Sequence, residues 1–332
     1  MNNKLYIDII KIEKIHNLRG EKMSKTKKIV ISLLLVLIIL PLSVFGYLYF
    51  KITKKNTGTE ENLQAGITNI LLLGTDGREN EAAYRSDCMM ILTIDNTHQS
   101  IKVTSLARDT YVDIPGQGKG KLNASYFWGK DQLLFKTIKN EFGIDIDKFV
   151  QVDFDGLVDV INTIGGVDVD MTEKEMEALE ISDTSSSVHT LTGEQAISYC
   201  RIRDIDNAIY RDGRQRKIIL GVASKFMSMP KSEYPDMIKT LLPCVSTNIG
   251  FVEILNLAYN AYDIVSKGAE IKQAQFPIID DIHSKGGTYK DAGWVWLYDK
   301  NSTVVLKQFI FDNIPFEENV YFNDNSNIQL NY

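Results

Sequence analysis

Residues 67–110 decide the fold of this chain, and they read ITNILLLGTDGRENEAAYRSDCMMILTIDNTHQSIKVTSLARDT. Three short apolar runs lie at residues 70–73, 89–94 and 101–106, with few charges inside them. Such runs are typical of neighbouring strands in a buried sheet. Because ligands of open α/β sheets bind beyond strand ends, we expect a binding site at the ends of these runs. Charged side chains cluster there: Asp76, Arg78, Arg85, Asp87, Arg108 and Asp109.

The chain beyond this stretch alternates between strand and helix patterns. Residues 149–154 place apolar side chains at every second position, as a half-buried strand does. Apolar positions 157, 160, 161 and 164 have the spacing of one helix face, and residues 167–171 alternate again. This order predicts an α/β fold with helices on the faces of a sheet. Residues 286–296, with two adjacent glycines and two tryptophans, are expected to form a loop.

Charge and cysteine content exclude several classes of protein. The chain has 332 residues, a net charge of -6 and a pI near 5.4. This balance gives no general signal for nucleic-acid binding, so we expect no nucleic-acid partner, and any anion site must be local. Three widely spaced cysteines indicate neither a disulfide framework nor a zinc site, so no disulfide partner is expected. Cys88 lies inside an apolar run and is expected in the core.

Residues 29–50 form an apolar run without a charge. The run is long enough to cross a bilayer core of about 30 Å as a helix. A cleaved signal peptide is the alternative, but its apolar part is usually about 7–15 residues long. Eight lysines and arginines precede the run and three follow it before residue 66. We therefore expect a single-pass membrane protein with a cytoplasmic N-terminus and an extracellular domain.

The sequence thus divides into a cytoplasmic tail at residues 1–28, a transmembrane helix at 29–50, a polar linker at 51–66 and a folded domain at 67–314. A C-terminal tail at 315–332 is rich in Asn and Asp and is expected to be poorly ordered. Residues 23–28 already supply the basic flank that such a span usually has. Translation from Met23 is therefore a hypothesis, beside a genuine tail that starts at Met1.

Two groups of arginines lie near the predicted strand ends and far along the chain. The planar guanidinium matches phosphate oxygens with two parallel hydrogen bonds, so the groups indicate an anion site. Arg211 and Gln215 are four residues apart and are expected to share a helix face. The alternative is a solvated surface with ion pairs worth about 0–1 kcal/mol each. The arginines are Arg85, Arg108, Arg201, Arg203, Arg211 and Arg214.

Asp76 and Asp87 lie at the ends of the first two apolar runs. In phosphate sites Mg²⁺ takes one or two carboxylates together with phosphate oxygens, so two carboxylates beside arginines are consistent with a metal-bound phosphate. The alternative is a simple turn, because Asp76 is followed by Gly77 and this pair is common in turns. The residues alone leave both interpretations open.

These residues belong to a set of motifs that resembles the LytR-CpsA-Psr family of Gram-positive bacteria. Each motif is short, but the set occurs in order behind a single apolar run. The motifs are ILLLGTD (70–76), RSD (85–87), SLARDT (105–110), KLNA (121–124), GGVDV (165–169), LTGEQA (191–196) and RIR (201–203), followed by Arg211 and Gln215.

The resemblance implies a three-layer α-β-α sandwich with a mixed central sheet and a hydrophobic pocket for a polyprenyl chain. It implies an enzyme of the Gram-positive envelope that moves a glycopolymer, of teichoic acid or capsule type, from a polyprenyl pyrophosphate carrier to peptidoglycan through a phosphodiester link. The expected partners are the lipid-linked glycan, peptidoglycan and membrane lipid.

The resemblance also implies roles for residues at matching positions. Asp76 and Asp87 would hold Mg²⁺, or Mn²⁺ in its place. Arg108 and Asp109 would be catalytic, with Asp109 a candidate general base. The pyrophosphate would be bound by Arg85, Arg108, Lys121, Arg201, Arg203, Arg211 and Gln215.

Some positions depart from the family pattern. Ala208 stands where the family often has an acidic residue, and Asn162 replaces an aspartate before the glycine pair. Lys130 and Asp131 interrupt the glycines that usually follow the 121–124 motif. A lipid pyrophosphatase is a second enzymatic interpretation. The departures keep a third open, a non-catalytic membrane-tethered binder or regulator of lipid-linked glycans. The glycopolymer and the oligomeric state stay open.

Overall fold

The computed structural model describes residues 66–76, 86–203, 205–206, 208–280, 282–320 and 328–331. The predicted cytoplasmic tail, the predicted span at 29–50, most of the linker and Arg85 lie outside these residues. Among the described residues, no helix is both long and apolar enough to cross a membrane.

The folded domain contains short strands and helices in alternation. The strands are β1 (Ile67–Thr75), β2 (Ser86–Asp95), β3 (Ser100–Leu106), β4 (Tyr111–Ile114), β5 (Gly118–Lys121), β6 (Lys148–Asp153), β7 (Val167–Asp170), β8 (Val188–Leu191), β9 (Ser246–Thr247), β10 (Ile271–Phe276), β11 (Ser284–Thr288) and β12 (Trp294–Tyr298). The α-helices are α1 (Leu122–Phe142), α2 (Phe154–Thr163), α3 (Glu173–Ala178), α4 (Gly193–Arg201), α5 (Ala208–Met227), α6 (Tyr234–Leu241), α7 (Phe251–Ser266) and α8 (Thr303–Phe311).

One mixed sheet has the strand order β10-β3-β2-β1-β6-β9. β10 is parallel to β3 and β1 is parallel to β6, whereas β2 is antiparallel to both β1 and β3. The three apolar runs of the opening stretch are β1, β2 and β3, which confirms that they are neighbours. Because of these directions, β1, β3 and β6 all end at the edge of the sheet where β2 begins.

Side chains alternate between the two faces of this sheet, and helices cover both faces. On one face Leu71 and Ile91 pack with Phe142 of α1 and Ile310 of α8, and we call it the α1/α8 face. On the other, Ile94 packs with Ile264 of α7, and α5 lies over the same side. We call this the α5/α7 face. The strand alternation thus produces a helix–sheet–helix arrangement.

The predicted loop at residues 286–296 was wrong, because β11 and β12 form an antiparallel hairpin there. Val295 and Leu297 are buried against Tyr111, with exposed fractions of 0% and 5%. β12 reads WVWLY, and because all five residues are apolar or aromatic, its buried positions do not stand out as an alternating pattern. Packing against another part of the chain therefore decides the structure of this segment.

The described parts of the C-terminal tail are packed, unlike the prediction. Phe316 is buried in the core of the α1/α8 face. Asn331 accepts a hydrogen bond from the Tyr298 backbone N–H at 2.8 Å and donates one to the Tyr111 carbonyl at 2.5 Å. The polar composition of the tail gave no indication of these hydrogen bonds, because they depend on a single amide side chain that satisfies two separate backbone groups.

Candidate active site

The site begins at a bulge between β1 and β2. Gly74 lies opposite Cys88 and Thr75 lies opposite Ser86, so Asp87 is an extra residue on β2. A β-bulge of this kind re-aims the side chain of the extra residue. Asp76 follows directly after the end of β1. The two carboxylates predicted to bind a metal therefore lie at the same sheet edge.

A cavity of about 310 Å³ opens at this edge, between the α5/α7 face and helices α2, α4 and α5. Cys88 lies in β2 as predicted, but it is only partly buried and lines the cavity, so the prediction that it belongs to the core was wrong. The predicted site residues that line it are Asp76, Asp87, Arg108, Arg201, Arg203, Arg211 and Gln215.

Arg108 is held in place by two carboxylates. Its Nη1 atom pairs with Oδ1 of Asp87, and its Nε atom lies 3.3 Å from Oδ2 of Asp109. The other oxygen of Asp109 lies 2.7 Å from Nζ of Lys121. Burial lowers the pKa of Arg108, but the charges of Asp87 and Asp109 outweigh burial and raise it. Asp109 and Lys121 thus support Arg108 from outside the cavity.

Arg211 lies in the opposite electrostatic situation. Burial and the neighbouring charge of Arg108 lower the pKa of Arg211, and Arg203 acts in the same direction. Gln215 lies one turn further along α5 and lines the same cavity, which confirms that the two residues share a helix face. Asp212 and Asp109 act in the opposite direction, but the pKa of Arg211 is lowered overall, so an anion in the cavity would stabilise its charged form.

Arg201 and Arg203 approach the cavity from the end of α4. Thr192 and Gln195 form a capping box that starts this helix, as the sequence predicts. Arg201 is the last residue of the helix, and its guanidinium lies 4.0 Å from the centre of the Phe154 ring. Arg203 follows just after the helix end. Both side chains are exposed, so they remain open to a ligand.

Arg214 is not part of the anion site, although the sequence groups it with the other arginines. Only 1% of it is exposed, and it binds both carboxylate oxygens of Asp206, at 2.6 and 2.8 Å. It also donates to the carbonyl of Ile202 at 2.8 Å and lies 3.5 Å from a carboxylate oxygen of Glu175. Arg214 therefore ties the segment that carries Arg203 to α5 and α3.

A second, almost wholly apolar cavity of about 390 Å³ lies on the same α5/α7 face. Ile70, Leu92 and Ile94 of the sheet form its floor, and helices α5, α6 and α7 form its walls. Val150 and Ile219 line both cavities. A cavity lined by several arginines thus adjoins an apolar one, an arrangement that suits a ligand with an anionic head and a hydrocarbon chain.

This combination of fold and site has known relatives. A model of the LytR_cpsA_psr family matches residues 49–309. The chain belongs to this family. The TagU protein of Enterococcus faecalis (strain ATCC 700802 / V583), named a polyisoprenyl-teichoic acid–peptidoglycan teichoic acid transferase, is 34% identical over 275 residues. That match covers 76% of this chain and 88% of TagU.

Solved structures of LytR-CpsA-Psr proteins have the same fold. TagV of B. subtilis matches with a TM-score of 0.62 and 26% identity, covering 74% of this chain and 96% of TagV. YwtF (TagT), solved with bound octaprenyl pyrophosphate lipid, matches with a TM-score of 0.57 and 21% identity, covering 77% of this chain and 93% of YwtF.

Asn162, one departure from the LytR-CpsA-Psr pattern, keeps a structural function. Its Oδ1 atom accepts a hydrogen bond from the N–H of Gly193, the first residue of α4, at 2.8 Å. An aspartate would supply the same kind of acceptor. The substitution therefore leaves the start of the helix that presents Arg201 intact.

Two carboxylates near the site were missed from the sequence. Asp153 lines the cavity and caps α2, accepting from the N–H of Gly156 at 2.8 Å. Its place at the end of a predicted strand was a usable signal. Burial raises the pKa of Asp212 to about 6, although Arg211 and Arg216 act against that shift. No sequence pattern marks Asp212, because its surroundings come from separate elements.

Proposed function

We propose that this LytR-CpsA-Psr protein transfers a glycopolymer of teichoic acid or capsule type from a polyprenyl pyrophosphate carrier to peptidoglycan. The observation that carries the proposal is the junction of the two cavities at Val150 and Ile219. The arginine-rich cavity suits the pyrophosphate and the apolar cavity suits the polyprenyl chain. The name of TagU, at 34% identity, supports the same reaction.

The arginines would bind and neutralise the pyrophosphate. Arg201, Arg203 and Arg211 line the cavity and form no ion pair with a carboxylate among the described residues, so their guanidinium groups could bind phosphate oxygens. Arg108, oriented by Asp87 and Asp109, would stabilise the charge that develops on the departing phosphate. Arg85 would add a further contact in this proposal.

A sugar hydroxyl of peptidoglycan would attack the phosphorus that carries the glycopolymer. A new phosphorus–oxygen bond forms, and the bond to polyprenyl phosphate breaks, so that polyprenyl phosphate leaves. Asp109 would accept the proton of the hydroxyl, since its carboxylate contacts Arg108, which lines the cavity.

Asp76 and Asp87 fit a Mg²⁺ ion, with Mn²⁺ as a substitute. Both are oxygen donors at the cavity, and Mg²⁺ typically uses one or two carboxylates with substrate phosphates. The described residues contain no group of three or more His, Cys, Asp or Glu side chains that could hold a metal ion. The remaining ligands would therefore come from the pyrophosphate. Bound Mg²⁺ would neutralise phosphate charge.

The proposal extends to location. We propose that residues 29–50 anchor the chain in the cell membrane with the domain outside, since the carrier lipid resides in that membrane. The eight basic residues before the run support this orientation.

The test is incubation of the full-length protein with a lipid-linked teichoic acid precursor, uncrosslinked peptidoglycan and Mg²⁺. Glycopolymer covalently joined to peptidoglycan is the expected product. Phosphate-bearing glycopolymer released into water instead would identify a lipid pyrophosphatase, and bound but unchanged donor would identify a non-catalytic binder. Asp87→Asn should require about tenfold more Mg²⁺ for half-maximal transfer, whereas Asp236→Asn, at an exposed surface position, should not.

A further inference from the structure

The β11–β12 hairpin presents two tryptophan rings on its outer face. Val295 and Leu297 point to the buried side, so Trp294 and Trp296 lie together on the other. Trp294 is 42% exposed, and the two ring centres are 4.9 Å apart in an edge-to-face arrangement. Exposed aromatic pairs of this kind commonly mark a binding surface. We call this pair the tryptophan platform.

Gly286 makes room for the platform. It lies opposite Trp296 in the hairpin. A Cβ atom on Gly286 would lie 2.7 Å from Cζ2 of Trp294 and 3.0 Å from Cζ3 of Trp296. The rings therefore rest directly over the glycine and occupy the space that a side chain would need. The neighbouring Gly287 has open space around the same position.

The platform is joined to the candidate active site through the backbone. The N–H of Trp296 donates to the carbonyl of Asp109 at 2.9 Å, and Trp296 forms a bridge with Thr110. The side chain of Asp109 is the one that contacts Arg108 and Lys121. The strand that carries the platform is thus fixed to the backbone of the segment that carries Asp109.

The platform approaches the site from the side opposite the two cavities. Both cavities lie on the α5/α7 face of the sheet. The strand that carries the tryptophans instead enters the core of the α1/α8 face, where Tyr298 packs against Phe142 and Phe276 with ring centres 5.8 and 5.5 Å apart. A donor in the cavities and a second ligand on the platform would therefore approach the segment that carries Arg108 and Asp109 from different sides.

We propose that the tryptophan platform binds a sugar ring of the acceptor glycan strand. The flat, C–H-rich face of a pyranose stacks on an indole ring, whose π-face carries negative charge. This inference rests on the proposed transferase function, and it identifies the acceptor subsite of that reaction. Membrane lipid is the competing occupant, but lipid would be expected on the α5/α7 face, where the apolar cavity lies.

The first test compares Trp294→Leu with Trp294→Tyr. Leucine keeps the apolar surface but has no ring, whereas tyrosine keeps a ring that can stack. For Trp294→Leu, we expect the Kd for uncrosslinked peptidoglycan oligomers and the acceptor KM to rise about tenfold, with the donor KM unchanged. Trp294→Tyr should stay near the wild type. Calorimetric titration with the oligomers measures binding independently of transfer.

The second test moves the rings without removing them. Gly286→Ala should raise the acceptor KM because its Cβ displaces both indoles, while Gly287→Ala is the matched control with open space. Equal oligomer affinity for the wild type and Trp294→Leu, or equal acceptor KM for the two glycine variants, overturns the platform. Loss of binding to anionic lipid vesicles in Trp294→Leu, with oligomer affinity retained, overturns it in favour of a membrane contact. A wild type that binds oligomers but does not transfer contradicts the proposed function alone.

Discussion

Arg211 and Arg214 are three residues apart on α5, yet they belong to different parts of the molecule. Arg211 lines the cavity at the sheet edge, where burial and the charges of Arg108 and Arg203 lower its pKa. Arg214 is buried, and the carboxylates of Asp206 and Glu175 raise its pKa against the effect of burial. Arg211 is influenced by both cations and carboxylates, with Arg108 the strongest charge, whereas the charges that act on Arg214 are carboxylates.

This difference indicates that Arg211 is suited to ligand binding and Arg214 to stabilising the fold. Burial and the charge of Arg108 disfavour the charged form of Arg211, so an anionic ligand would stabilise it, and Arg211 is suited to bind one. A buried cation whose two terminal nitrogens are bound to a carboxylate and a backbone carbonyl is suited to hold backbone segments together, because losing it leaves carboxylates without a partner. The interactions of Arg214 therefore stabilise the fold, whereas those of Arg211 are available for ligand binding.

Arg214→Ala is the substitution with the largest expected effect on stability. We expect the unfolding free energy to fall by about 3–5 kcal/mol, because Asp206 and Glu175 lose their shared cation. Thermal denaturation should show a Tm lower by about 10 °C. Lys239→Ala, which removes an exposed ion pair with Asp236, is the control and should change Tm little. A Tm for Arg214→Ala equal to that of the control would contradict the bracing role.

Arg211→Ala tests the other half of the comparison. Transfer should fall about 10²–10³-fold, since a donor to the pyrophosphate is lost. The Tm should be unchanged or raised, because the folded state disfavours the charge of Arg211. Transfer rates and thermal denaturation of the same preparation check both expectations. Arg211→Lys should recover part of the rate by keeping the charge without the planar fork. A Tm loss as large as that of Arg214→Ala would refute the contrast.

Asp212, between the two arginines in sequence, offers the smallest and most pH-dependent effect. Its pKa is about 6 in the folded protein, against an ordinary value of 3.8. The folded state therefore binds more protons than the unfolded state between these values, and this residue makes stability fall as pH rises through that window. The unfolding free energy of Asp212→Asn minus that of the wild type should increase by about 1–3 kcal/mol between pH 4 and pH 7.

Urea denaturation at several pH values measures this difference. Asp236→Asn makes the same chemical change at an exposed position and should give curves parallel to the wild type. Parallel curves for Asp212→Asn as well would show that its carboxyl does not bind a proton in this window.

Much of the sheet was predictable because its signal is local. Alternating or continuous apolar runs mark β1, β2, β3 and β6 regardless of what packs on them. The capping box at the start of α4 likewise depends only on residues close together in the sequence. The hairpin at β11–β12 was not predictable in this way. Val295 and Leu297 pack on Tyr111, a contact between residues far apart in sequence.

The residue types of the site were predictable from the sequence, but which individual residues line it was only partly predictable. The chemistry of carboxylates beside guanidinium groups indicated an anion site, and the cavity contains Asp76, Asp87, Arg108 and Arg211. Arg214 was misassigned because spacing along a helix gives the direction of a side chain and says nothing of its neighbours.

The sequence by itself determined the α/β fold class, the resemblance to the LytR-CpsA-Psr family and the residue types at the strand ends. Those features depend on periodicity and on motifs within a few residues. Only the tertiary structure decided which arginine faces the cavity, how the bulge turns Asp87 towards Arg108, and where the tryptophans lie relative to Asp109. Charge and burial act through space, and only the folded chain brings separate segments within their range.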